Sequence, residues 1–119
     1  MKEDIAFEQG EYKNFNGVIM WGNTECFVKK SKFTLIIRNG VKIILWYFGE
    51  IIGGIFSDGV FNNGLFKNSK FMNSIFKNGK FIDSEWISGE WHQGVFIKSR
   101  GNRFDINRDK YISPFSHIF

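Results

Sequence analysis

Aromatic residues recur at every fifth position through the middle of the chain. They are Phe56, Phe61, Phe66, Phe71, Phe76, Phe81, Trp86, Trp91 and Phe96. Positions five apart lie on opposite faces of a strand and far apart around a helix, so neither element could bury all of these rings. The chain must therefore change direction once in each five-residue unit, with a short extended piece between corners.

Turn-forming residues occupy the positions where these corners are expected. A Gly or Ser stands three residues after each ring, and Asn or Asp often stands two residues after it, as at Asp58 and Asn63. These residue types adopt turned backbone at low cost. Strands of two or three residues pair too few backbone groups to hold a meander, whereas a coil pairs its backbone along every side. The pattern predicts an all-β solenoid over residues 50–99.

The five-residue unit resembles that of the pentapeptide-repeat family, in its Phe-rich variety. In that family a large apolar residue at the centre of each unit and a small residue two places before it both point inward. The small residues here are Gly54, Gly59, Gly64, Ser69, Ser74, Gly79, Ser84, Gly89 and Gly94. The resemblance covers residues 50–99 and implies a right-handed, four-sided β-helix of about 2.5 coils, in which residues twenty apart stack.

The four-sided register predicts which outer residues form columns. It stacks Phe56 on Phe76, with about 4.8 Å between neighbouring strands as in any sheet. The same register gathers apolar residues that precede the rings into one outer column, for which β-propensity alone is an equally good explanation. The candidate docking face combines this column with two C-terminal rings and comprises Ile55, Ile75, Val95, Phe115 and Phe119.

The flanking segments are expected to cap the open ends of the coil. Residues 33–47 are predicted to form a hairpin, because Asn39 and Gly40 lie between two runs rich in β-branched residues. Residues 1–49 would form an N-terminal β cap that contains this hairpin, and residues 100–119 a C-terminal capping or docking segment. The length of 119 residues suits a single domain.

Charge bears on two possible functions. Within residues 50–99 five lysines and five acidic residues cancel. Some pentapeptide-repeat proteins imitate duplex DNA with an acidic surface and bind type II topoisomerases, a role that a neutral solenoid fits poorly. The net charge of +4 and a basic run near the C-terminus would allow weak binding of nucleic acid or anionic surfaces. Acidic residues dilute that run and the repeat rings are needed in the core, so a solvated basic end explains the run better and nucleic acid is not an expected partner. The candidate basic patch comprises Lys98, Arg100, Arg103, Arg108 and Lys110.

The sequence shows no catalytic or metal-binding constellation. His92 and His117 are the only histidines, and no other ligand type stands at a recognised metal-binding spacing from them. Glu85 and Glu90 would have to act together as acid and base, but successive units place them on different sides of the coil. The single Cys26 excludes an internal disulfide. We therefore expect no enzymatic activity, no cofactor and no small-molecule substrate.

The expected function is that of a non-enzymatic structural or protein–protein interaction module, which acts on a protein partner or by self-association. A phage virion or assembly component is one such role. The first alternative is a small effector or inhibitor of a host enzyme such as a type II topoisomerase, and the second is the weak binder of nucleic acid described above. Because no apolar run follows the N-terminus and charges interrupt the hairpin, we expect no signal peptide and no membrane span. The expected location is the cytoplasm or a virion.

Overall fold

The computed structural model describes residues 4–21 and 23–101, and within them all regular elements are β-strands. The strands are β1 (Asp4–Ala6), β2 (Gly10–Trp21), β3 (Thr24–Arg38), β4 (Val41–Ser57), β5 (Gly59–Phe61), β6 (Leu65–Lys67), β7 (Ser69–Met72), β8 (Ser74–Phe76), β9 (Lys80–Ile82), β10 (Glu85–Trp86), β11 (Gly89–Trp91), β12 (Val95–Ile97) and β13 (Arg100–Gly101). The predicted all-β solenoid is confirmed.

Three long strands, β2, β3 and β4, form an antiparallel meander at the N-terminal end. Asn39 and Gly40 connect β3 to β4 with φ angles of 54° and 79°, and Arg38 pairs with Val41 across the turn. Two successive residues with positive φ are what a two-residue hairpin turn of type I′ requires. The predicted hairpin is confirmed, and it belongs to a larger cap in which β1 pairs in parallel with the outer strand β2.

The strand β4 is also the first turn of the solenoid. Its residues 44–46 pair in parallel with β5, residues 50–51 with β6, and residues 54–57 with β7. One strand can pair with three successive strands only if it bends around the interior. Gly49 and Gly54, with φ angles of 126° and 121°, stand at the bends. The change from an antiparallel cap to a parallel coil therefore takes place within one continuous strand.

The short strands stack in three columns, which define three sides of the solenoid. Side one contains β5, β8 and β11; side two contains β6, β9 and β12; side three contains β7, β10 and β13. Each strand is one rung of its column. Paired residues on adjacent rungs are fifteen apart in sequence, as Phe61 and Phe76 are on side one and Phe66 and Phe81 on side two. Each turn thus takes three five-residue units.

The predicted four-sided register, with stacking at twenty residues and about 2.5 coils, is wrong. Phe56 stacks on Phe71, not on Phe76, with ring centroids 5.4 Å apart. The physical reason lies in the interior, where rings of successive units meet edge to face: Phe61 and Phe66 at 5.9 Å and 85°, and Phe66 and Phe71 at 5.5 Å and 85°. Edge-to-face contact is a favoured geometry of packed aromatic rings, and three units in such contacts complete a triangular cross-section.

The rings of the repeat form the core, and this core continues into the cap. The rings at most 1% exposed are Phe56, Phe61, Phe66, Phe71, Phe76, Phe81, Trp86 and Trp91, while Phe96 is partly buried. On side one the stack extends upward through Trp46 to Phe33, with centroids 6.0 Å apart from Phe61 to Trp46 and 5.5 Å apart from Trp46 to Phe33. The cap and the solenoid therefore share a single apolar interior.

Glycines line the corner between sides one and two. Gly64, Gly79 and Gly94 follow one another on consecutive rungs with φ angles of 129°, 130° and 135°. A Cβ on Gly79 would lie only 2.5 Å from the carbonyl oxygen of Gly64. Both the backbone angle and the close approach of the rung above require the absence of a side chain here.

Serines line the corner between sides two and three. The backbone N–H of Ser69 donates to Ser84 Oγ at 3.1 Å, and that of Ser84 donates to Ser99 Oγ at 2.9 Å. Each hydroxyl in turn donates to a nearby carbonyl, as Ser84 does to Ile82 at 2.8 Å. This ladder satisfies backbone groups at the point where the corner interrupts the pairing of strands.

Replacing Phe76 by Ala should destabilise the protein strongly. The ring is fully buried and stacks between Phe61 at 4.7 Å and Trp91 at 4.3 Å, so its removal leaves a cavity inside the stack. We expect a loss of roughly 3 to 5 kcal/mol in the free energy of unfolding, measured by chemical denaturation. Equal stability of the variant and the parent would contradict the inward position of this ring.

Replacing Gly79 by Ala should destabilise by roughly 2 to 3 kcal/mol, because the substitution combines a strained backbone with a clash against Gly64. Gly53→Ala is the matched control, since its φ is not in the left-handed region and its added Cβ would meet only Phe27 Cδ2 at 3.4 Å. Thermal unfolding of the two variants should give the lower Tm for Gly79→Ala. A lower Tm for Gly53→Ala would contradict the close approach at Gly79.

Candidate functional site

The residues that precede the ring positions, including the equivalent positions Ile51 and Gly101, line up on three separate sides. Side one has Leu45, Val60, Ile75 and Glu90; side two has Glu50, Leu65, Lys80 and Val95; side three has Ile55, Lys70, Glu85 and Arg100. The predicted outer column of Ile55, Ile75 and Val95 does not form, because it assumed a turn of twenty residues. These three residues lie on sides three, one and two.

Side two carries a different apolar surface, which we call the apolar strip. It comprises Phe27, Ile52, Leu65, Ile82, Val95 and Ile97. Phe27, Val95 and Ile97 are 42%, 45% and 39% exposed, and the other three are partly exposed. Leu65 pairs with Lys80, and Lys67 pairs with Ile82 on the same two rungs. Apolar side chains therefore continue diagonally from rung to rung, with lysines in the alternate positions.

Sequence reasoning missed the apolar strip for two reasons. Leu65, Ile82 and Val95 come together only when the chain is read in turns of fifteen. Phe27 belongs to the cap. It joins the strip because β3 reverses direction into β4 and thereby pairs Phe27 with Gly53. The fifteen-residue spacing was available in the sequence, whereas the contribution of the cap needed the strand pairing.

Side three carries a ladder of alternating charge. Lys70, Glu85 and Arg100 occupy consecutive rungs, and Arg100 Nη2 lies 3.3 Å from Glu85 Oε1. Beside them runs a shallow groove of about 290 Å³ whose lining includes Asn68 and Asp83. Arg100 is largely exposed, so this pair contributes little to stability.

The predicted basic patch is only partly described. Lys98 is an exposed corner residue with a φ of 49°, and Arg100 has the carboxylate of Glu85 as a partner. The remaining members, Arg103, Arg108 and Lys110, lie outside the described residues, as do Phe115 and Phe119 of the predicted docking face.

The candidate catalytic and metal-binding residues lie apart. Glu85 is on side three and Glu90 is on side one. His92 Nε2 lies 3.3 Å from Glu90 Oε1 at an exposed position, and His117 is outside the described residues. Across residues 4–21 and 23–101, no three His, Cys, Asp or Glu side chains are grouped so that they could hold a metal ion.

Cys26 is buried in the cap, where its side chain packs beside Gly54. Burial raises the pKa of the thiol to about 12 from an ordinary 9.0, although a hydrogen bond with the backbone of Ile55 acts in the opposite direction. Since the thiolate is the nucleophilic form of cysteine, this residue serves packing and not chemistry at neutral pH.

No protein-family model, no curated protein and no solved structure matches this chain. In the part of the chain that the structure describes, no helix is long and apolar enough to cross a membrane.

The raised pKa of Cys26 predicts a loss of stability in alkali. The folded state holds the thiol proton more tightly than the unfolded state. The protonated thiol therefore contributes its full share to the free energy of unfolding below pH 9.0, and this share declines as the pH rises towards about 12. Urea unfolding of the wild type and of Cys26→Ala on both sides of pH 9.0 isolates this contribution. We expect the wild type to lose more stability than the variant, and parallel pH profiles would contradict the assignment.

Proposed function

We propose that the protein is a non-enzymatic structural module that associates with copies of itself through the apolar strip on side two. The five-residue unit supports a relation to the pentapeptide-repeat family as a variant with three units in each turn. The observation that carries the proposal is the exposure of Phe27, Val95 and Ile97 on a surface formed by paired strands. Contiguous exposed apolar side chains of this kind are typical of interaction sites.

The surface of side two is suited to docking because its shape is fixed before binding. Its rungs β6, β9 and β12 are held by backbone pairing, and the stacked rings of Phe66, Phe81 and Phe96 lie behind them with centroids 5.0 and 4.9 Å apart. A surface that is already ordered loses little conformational entropy on association.

A second copy matches side two by symmetry. We place a two-fold axis parallel to the strands and through Leu65, so that the two solenoids run in opposite directions. Each rung then faces the rung at the same distance on the other side of Leu65. This arrangement brings Glu50 opposite Lys80 of the second copy and Ile52 opposite Ile82 of the second copy, and each contact occurs twice.

The remaining contacts of this arrangement are mixed. Phe27 faces Ile97 of the second copy, which extends the apolar contact to both ends of the strip. Lys67 meets its own equivalent near the axis, and two like charges oppose association. The balance indicates a reversible interface, of the kind that many copies can form and reform during assembly.

For such a module we propose a role as a phage virion or assembly component, in the cytoplasm or in the virion. Symmetric contacts between copies are what such particles are built from. The alternative role as a topoisomerase inhibitor would need a continuous acidic surface. The acidic side chains of the solenoid are instead distributed, with Glu85 on side three, Glu90 on side one and Asp58 at the corner between them.

Sedimentation velocity over a range of protein concentrations tests self-association. We expect a concentration-dependent dimer for the wild type and a monomer for Ile82→Glu, because the substitution places a carboxylate among apolar contacts. Ile75→Glu is the matched control, since Ile75 is also partly exposed but lies on side one. A wild type that stays monomeric at high concentration, or equal effects of the two substitutions, would overturn the proposal.

A charge exchange tests the two-fold arrangement itself. Glu50→Lys and Lys80→Glu should each weaken the dimer, because each single change places like charges opposite one another. The double variant Glu50→Lys/Lys80→Glu should recover the wild-type dimer affinity in the same measurement. If the double variant is weaker than either single variant, the copies do not meet in this orientation.

A further inference from the structure

The corner between sides one and two gathers basic and aromatic side chains from the cap and the solenoid. We call this surface the lysine edge. It comprises Lys13, Lys30, Lys32, Tyr47, Phe48 and Lys77. The residues come from β2, β3, β4 and the turn after β8, so the edge crosses the boundary between the antiparallel cap and the parallel coil.

Strand pairing places these residues on successive levels of one corner. Lys32 pairs with Phe48 across β3 and β4, and Tyr12 pairs with Phe33, which puts Lys13 next to Lys32 on the outer strand. Further along, Lys77 follows Phe76 as Tyr47 follows Trp46. From Lys13 to Lys77 the edge crosses four strand spacings, about 20 Å in all.

Local contacts hold the basic part of the edge in place. Lys30 has a φ of 50°, and its backbone N–H donates to Asn16 Oδ1 at 2.9 Å. Lys32 Nζ lies 5.7 Å from the ring centroid of Tyr47, whose hydroxyl lies 3.1 Å from Thr34 Oγ1. The backbone at Lys30 and the ring of Tyr47 are therefore fixed, while the ring of Phe48 next to them is 49% exposed.

The positive and negative charges of residues 50–99 are equal in number, but the three-sided register places them at different corners of the solenoid. Lys77 and Lys80 lie at or beside the lysine edge, whereas Asp58 and Asp83 lie at the other two corners. Lys29 adds a further positive charge on the adjoining part of side two. Carboxylates flank the edge on both sides: Glu11 and Glu90 lie on side one, and Glu50 lies opposite Lys29 on side two. The edge is thus locally basic although residues 50–99 are neutral as a whole.

We propose that the lysine edge binds single-stranded nucleic acid, with the lysines contacting phosphates and Phe48 stacking on a base. Lysine side chains and an exposed aromatic ring are the two elements that sequence-independent single-strand binding combines. The edge is a convex corner from which the ring of Phe48 is exposed to solvent. Such a ring stacks on an unpaired base, because the faces of paired bases are covered within a duplex. This site is separate from the basic patch near the C-terminus and from the apolar strip.

Fluorescence anisotropy with a labelled oligothymidylate of roughly 20 nucleotides tests the proposal on the full chain. We expect binding at low salt that weakens steeply as salt is added, because phosphate contacts release counterions. The variant Lys30→Asn/Lys32→Gln should bind about tenfold more weakly and with a smaller salt slope. Asn at position 30 suits the left-handed backbone there, so the fold should be retained.

The control variant is Arg38→Gln/Lys70→Gln, which removes the same charge from the β3–β4 hairpin and from side three, away from the lysine edge. Both side chains are exposed, as that of Lys30 is. We expect this control to bind oligothymidylate nearly as tightly as the wild type. Equal losses in the two variants would show that only net charge matters and would overturn the proposal, as would the absence of binding at low salt.

Phe48→Leu separates single-strand binding from attraction to any anionic surface. It should weaken oligothymidylate binding about fivefold, since base stacking is lost while the charge is unchanged. The same variant should bind heparin as the wild type does. No effect of Phe48→Leu on oligothymidylate, or tighter binding to phosphatidylserine vesicles than to oligothymidylate, would replace the proposed nucleic-acid site with a general anion-attracting surface.

Discussion

Edge-to-face contact between the rings of successive units is the interaction on which the solenoid depends. Each ring meets the next at a steep angle within a turn and stacks nearly flat on the ring of the turn below, as Phe71 does against Phe66 and Trp86. The flat stacking matches the spacing that backbone pairing imposes, and the steep contact sets how many units complete a turn. This geometry also explains the small residues at the corners, such as Gly79 and Ser84, because the corners must be tight enough to keep three rings in contact.

The cap extends the same interior with strands that reverse direction. Phe33 and Trp46 occupy the ring positions of side one although β3 and β4 run antiparallel. Side-chain stacking therefore continues across a change of chain direction. The backbone pairing of β3 with β4 contains register shifts at the same junction. Trp46 carries a cost at this junction, because its buried indole N–H has no hydrogen-bond partner among the described residues. The large stacked area of its ring offsets that cost.

The sequence predicted the kind of fold but not its cross-section. The five-residue spacing requires one corner per unit, and Asn39 with Gly40 specifies the hairpin, so the solenoid and the hairpin could both be foreseen. The number of sides depends on how the rings pack, which spacing alone does not determine. A fifteen-residue signal was nevertheless present: Gly64, Gly79 and Gly94 keep glycine at one corner, while Ser69, Ser84 and Ser99 keep serine at another. The surfaces that include Phe27 and Lys32 needed the pairing of β3 with β4, which no local pattern specifies.

The fifteen-residue turn also constrains how such a chain can change in length. Duplicating or deleting three consecutive units leaves every later residue on its original side, so both outer surfaces would simply become longer or shorter. Gaining or losing a single unit rotates everything beyond it by a third of a turn and exchanges the sides. Insertions in a gene of this kind are therefore tolerated by the core in steps of five residues, but they preserve the outer surfaces only in steps of fifteen.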